Sequence, residues 1–129
     1  MSTIQRFEDL EAWKISREVT KDIYKLSASG LFSRDFGLRD QIRRASVSIM
    51  SNIAEGFERD GDKEFVQFLA IAKGSAGEVR SQLYVALDQE YVSEIEFYSV
   101  YQKLTENSRV ISGLMKYLQQ SDFKGKKFR

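Results

Sequence analysis

Residues Leu38 to Phe57 read LRDQIRRASVSIMSNIAEGF, and their periodicity decides the fold. At 100° per residue, Leu38, Ile42, Ala45, Ile49, Ile53 and Gly56 fall within about 40° of one direction. That spacing predicts a helix from about Leu38 to Arg59 with one core-facing stripe. A second apolar set, Val47, Met50, Ala54 and Phe57, lies roughly 80–160° around the same helix. A helix apolar on two sides is buried on two sides, so self-association through this set is expected. Arg43 shares that side, and arginine is enriched at interfaces. A polar stripe of Arg44, Ser48, Asn52 and Glu55 completes the circumference.

The neighbouring segments repeat the helical period. Ala12, Ile15, Val19, Ile23 and Leu26 predict a first helix over about Glu8 to Ala28, stopped by Ser27-Ala28-Ser29-Gly30. A third helix follows Asp60-Gly61-Asp62, with Asp62 as the expected N-cap, and runs to about Gln89. Its stripe is Phe65, Phe68/Leu69, Ala72, Ala76, Val79, Leu83 and Ala86/Leu87. The fourth begins near Ser93, where Glu96 three residues on completes a capping-box pattern. Phe97, Tyr101, Leu104, Ser108, Ile111, Met115 and Leu118 then repeat as a heptad. There is no proline. Four amphipathic helices with short connections predict an all-α, antiparallel up-down-up-down four-helix bundle over residues 1–120.

A turn near Asp60-Gly61 sets residues summing to about 122 side by side on helices two and three. Arg44 then faces Glu78, Ser48 faces Gly74, and Asn52 faces Ala70. The expectation is a structural polar network of Arg44, Ser48, Asn52, Glu55 and Glu78 that fixes helix register. The small residues Gly74, Ser75, Ala76 and Gly77 would let the two backbones approach closely.

Composition limits the chemistry. The 129 residues are 42% hydrophobic and 30% charged, with no cysteine and no histidine. Disulfides, thiol nucleophiles, imidazole bases and the usual nitrogen and sulfur metal ligands are therefore excluded. Gly56 to Lys63 imitates a P-loop spacing, but Asp62 stands at the lysine position and no strand precedes it. Gly74-Ser75-Ala76-Gly77 matches the GXXG of a KH loop, yet sits inside a helical pattern. Glu55, Glu58 and Glu64 lie close in sequence around the turn between helices two and three and could offer oxygen ligands to magnesium, but surface carboxylates near a turn are ordinary. The expectation is a non-enzymatic protein without a cofactor. With no membrane span and no signal-peptide core, the expected compartment is the cytoplasm.

Charge is uneven along the chain. Residues 1–120 carry 16 Lys/Arg against 18 Asp/Glu, a body of −2. Residues 121–129 carry four basic residues and one acid, a tail of +3 expected to be flexible. Lys124, Lys126, Lys127 and Arg129, interleaved with Phe123 and Phe128, are candidate phosphate contacts, as is Arg43. Self-association, RNA or another nucleic acid, and a protein partner are the expected partner classes; a membrane is not.

The combined motif Gln41-Ile42-Arg43-Arg44-Ala45, Ser48-Ile49 and Asn52-Ile53-Ala54-Glu55-Gly56 resembles the signature of the 23S rRNA intervening-sequence proteins. The likeness continues through Glu64-Phe65, Phe68-Leu69 and Ile71-Ala72-Lys73-Gly74-Ser75 with Glu78, and opens at Asp9-Leu10 with Trp13. Members often carry a proline in the loop before helix two, where this chain has Phe32-Ser33. The resemblance implies an up-down four-helix bundle assembled as a ring-like homopentamer; the family name records where some of its genes lie, inside inserts of rRNA genes, and establishes no molecular activity. The chain is also similar to the pentameric accessory proteins of diversity-generating retroelements, although the body here lacks that branch's strong basicity. A five-fold ring would gather +15 from its tails and −10 from its bodies.

Overall fold

The computed structural model describes the backbone of residues 4–128 and the side chains of residues 4–120. Four helices form: α1 (Glu11–Leu26), α2 (Phe36–Glu58), α3 (Asp62–Asp88) and α4 (Glu94–Phe128), with short 3-10 turns at Phe7–Asp9 and Phe32–Arg34. Each helix packs on the next, and α1 closes against α4, giving the antiparallel four-helix bundle that the periodicities predict. There is no strand among the described residues.

The predicted stripes become the core. Leu38, Ile42, Ala45, Ile49, Ile53 and Gly56 of α2 are all buried, against Leu69, Ala72, Ala76, Val79 and Leu83 of α3. From α4, Phe97, Leu104, Ile111 and Leu118 are buried, while Tyr101, Ser108 and Met115 are half-buried at the edge. Each aliphatic side chain removed from water contributes about 1.5–3 kcal/mol. The shared core therefore holds together helices that would be marginal alone.

Helix ends follow local chemistry, with two departures from expectation. The first helix starts at Glu11 rather than near Glu8, because residues 7–9 tighten into a 3-10 turn and Leu10 (ψ 128°) breaks off toward the core. Asp62 is not the N-cap of α3. Gly61 occupies that position at φ +100°, a left-handed conformation that favours glycine, and Asp62 falls in the first turn. There its charge still complements the helix dipole. The capping box is present as read: Glu96 N donates to Ser93 Oγ at 3.1 Å, and Ser93 N donates to Glu96 Oε1 at 2.9 Å. At the other start, Leu38 N donates to Asp35 Oδ1 at 3.1 Å.

Candidate functional site

The α2–α3 seam is built around hydroxyls. Ser48 Oγ and Ser75 Oγ share a hydrogen bond of 2.9 Å, and Asn52 Nδ2 donates to Ser48 O at 2.8 Å and to Ser48 Oγ at 3.0 Å. Ser48 thus meets Ser75 rather than Gly74, a one-residue offset from the expected pairing. One residue is about 100° of helix rotation, enough to turn Glu78 out of the seam. Arg44 and Glu78 are both exposed, with no hydrogen bond or ion pair between them. Glu55 lies outside the seam as well, bridging Arg59 one turn along at 3.1 Å. Of the five residues assigned to the network, Ser48 and Asn52 are brought together, and Ser75 joins them.

Close backbone approach occurs at Gly56, not at Gly74 or Gly77. A Cβ on Gly56 would sit 2.7 Å from Phe68 Cβ and 2.9 Å from Phe65 Cδ1, whereas one on Gly74 would meet nothing within 4 Å. Gly74 is exposed because α3 turns that side to solvent, while the neighbouring Ser75 and Ala76 are buried.

Arg43 holds two helices together. Its Nε donates to Ser27 Oγ at 2.8 Å, its Nη2 donates to the Tyr24 carbonyl at 3.5 Å, and its guanidinium lies 4.6 Å from the Tyr24 ring centre. A cation against the last carbonyls of α1 complements that helix's negative end. The rest of the expected outer face is mixed. Val47 is 38% exposed, Met50 and Ala54 are half-buried, and Phe57 packs edge-on against Phe65 with centroids 6.0 Å apart.

The α4 backbone is helical as far as Phe128, within the basic segment. The side chains of Lys124, Lys126 and Lys127, and all of Arg129, lie outside the described residues.

Several cross-helix ties were not read from the sequence. Lys103 Nζ donates to Asp22 Oδ2 at 2.8 Å and lies 3.7 Å from Glu18, pinning α4 to α1; the hydrogen bond to Asp22 raises the Lys103 pKa. Arg80 Nη1 donates to Ser108 Oγ at 2.9 Å. Tyr84, Phe97, Tyr98 and Tyr101 form a chain of ring contacts, and the neighbouring Tyr101 hydroxyl raises the Tyr84 pKa. Periodicity alone gives no signal for such pairs, since it names a face without naming the partner across it. Among the described residues, no three acidic side chains converge in a way that would hold a metal ion. No helix there is long and apolar enough to cross a membrane.

This geometry has a solved counterpart. A crystal structure from Bacteroides thetaiotaomicron VPI-5482, described as a protein with unknown function from the S23 ribosomal protein family, superposes with a TM-score of 0.75 at 25% identity. The match covers 81% of this chain and 98% of that one. Comparison with curated proteins finds no match. The model of the family described as 23S rRNA-intervening sequence protein matches residues 8–113, which include the whole α2–α3 seam and Arg43. The chain belongs to that family.

Proposed function

We propose that this protein is a non-enzymatic, homo-oligomeric helical bundle that associates with RNA in the cytoplasm through its basic C-terminal segment. The observation that carries the reading is the separation of charge: +3 in residues 121–129 against −2 over the rest of the chain. Phosphate neutralisation supplies most of the affinity of nucleic-acid binders, so the segment at the far end of α4 is where RNA contact is favoured. Arg43 is the weaker candidate, because its guanidinium is already spent on Ser27 and Tyr24.

Assembly rests on Val47, Met50 and Ala54, which leave apolar surface on the outer side of α2. A five-fold ring, the arrangement implied by the family resemblance, would gather five basic segments and convert weak single contacts into avidity.

Fluorescence anisotropy of a labelled 23S rRNA fragment tests the reading, using the full chain and K124Q/K126Q/K127Q at low and physiological salt. Salt-sensitive binding that the triple variant loses is expected. Binding that the variant retains would remove the segment as the contact, and no binding by either protein would remove RNA. A protein-interaction scaffold without nucleic-acid contact is the second reading, favoured by the exposed Val47 and Ile71 on neighbouring helices. A stoichiometric protein partner surviving nuclease treatment would support it.

A further inference from the structure

The surface between α1 and α4 carries an apolar groove that the bundle leaves open. Ile95 is 83% exposed and Tyr98 58% exposed. With Ile15 they line an open hollow of about 750 Å³. A smaller hollow of about 270 Å³ continues past Ile95 toward Leu26. The rim carries Glu94, Glu96, Glu106 and Asp22 with Lys25 and Lys103; Glu106 is paired with Arg109, and Asp22 with Lys103. Glu94 and Glu96 against Lys25 therefore leave a net negative charge beside the apolar floor at its Ile95 end.

We propose that this groove binds the basic C-terminal segment, residues 121–129, of a second copy of the chain. The segment has the complementary chemistry: Phe123 and Phe128 for the floor, with Lys124, Lys126, Lys127 and Arg129 for the rim. The chain's own segment cannot reach the Ile95 end of this groove. Ile95 lies 25 residues before Gln120 on one continuous helix, about 38 Å at 1.5 Å per residue. Nine residues fully extended span at most about 32 Å. Docking is therefore between copies. Groove-to-groove pairing is disfavoured, because it would set the acidic rims of two copies against each other, and like charges brought together across an interface are repulsive. The docking stands apart from the RNA reading but draws on the same four cations, so RNA and a second copy compete for the segment.

The test titrates a fluorescein-labelled peptide of residues 119–129 with full-length K124Q/K126Q/K127Q, whose own segment no longer competes. Saturable binding is expected, weakened at least tenfold by adding Ile95→Lys and by replacing the peptide's three lysines with glutamine. Ile95 lies almost wholly in water, so the helical circular dichroism should not change; Tyr98→Ser provides a second variant. Undiminished binding to both groove variants, or no binding to the intact groove, overturns the proposal. RNA affinity measured on the wild-type chain is a separate readout: its absence with peptide docking intact would remove only the RNA reading.

Discussion

Tyr91 donates a hydrogen bond from its hydroxyl to Asp35 Oδ2 at 2.9 Å, joining the α3–α4 turn to the start of α2 across 56 residues of sequence. The other oxygen of the same carboxylate accepts from Leu38 N, so one side chain caps a helix and ties down a turn. The Tyr91 ring also stacks on the buried Phe32, with centroids 5.5 Å apart. The anchor holds a strained corner: the preceding Glu90 adopts φ +60°, and Tyr91 N donates to Ala86 O at 2.8 Å to close α3.

This pairing has a pH signature. The hydrogen bond to Asp35 raises the Tyr91 pKa above the usual tyrosine range. The protonated phenol is the bonded form, so its contribution is complete below about pH 10 and is lost as pH rises through the folded-state value. Tyr91→Phe should lower the melting temperature at pH 7 and flatten its fall above pH 10. Asp35→Ala, which also removes the cap, should cost about 1 kcal/mol or more. A melting temperature at pH 7 unchanged in both variants would show that the tie contributes nothing.

Two helical glycines should respond to alanine with opposite signs. Helix propensity favours alanine by about 1 kcal/mol at either site. At Gly74 nothing stands within 4 Å of the new methyl, so Gly74→Ala should stabilise by about 0.5–1 kcal/mol. At Gly56 the methyl meets the Phe68 Cβ, which cannot swing aside without moving α3. Overpacking of this kind costs about 1–3 kcal/mol, and Gly56→Ala should be net destabilising. Urea midpoints of the two variants moving in the same direction would contradict the packing described.

Asn107 is fully buried in α4, and neither of its amide atoms has a hydrogen-bond partner among the described residues. An unpaired buried polar group costs about 1–3 kcal/mol. Asn107→Leu should therefore raise the unfolding free energy by a comparable amount, read as a higher urea midpoint. A lowered midpoint would mean that the amide is satisfied, as by a buried water.

Met50 and Ala54 test the assembly face. Both are half-buried on the outer side of α2, so Met50→Glu or Ala54→Glu leaves the monomer's core intact. In an interface either would bury an unpaired charge, at a cost of about 3–5 kcal/mol. The light-scattering mass should fall to that of a monomer. A mass equal to wild type would show that this face is not an interface.

The helices could be read from sequence because each carries a continuous stripe: Leu38 to Gly56 on α2 and Phe97 to Leu118 on α4 have one reading only. Register was recoverable to within a residue from the Asp60-Gly61 turn. That single residue separated the Ser48–Ser75 bond from the expected Arg44–Glu78 pair, because helix rotation amplifies a small axial error. The ties of Asp35 to Tyr91 and of Lys103 to Asp22 were hidden for another reason: polar partners far apart in sequence leave no periodic trace. Gly56 lies on the core stripe of α2 and Gly74 off that of α3, yet the sequence pattern placed the close approach at Gly74, and only the packing of α2 on α3 assigns it to Gly56.

The salt dependence of RNA binding tests the central claim most directly. For a labelled 23S rRNA fragment, each phosphate neutralised contributes a slope of about −0.7 to −0.9 in log affinity against log salt. A contact made by the C-terminal cations predicts a clearly negative slope that becomes shallower by about one unit for each of Lys124, Lys126 and Lys127 changed to glutamine. A slope unchanged across those three variants, or affinity insensitive to salt, would contradict RNA association through this segment.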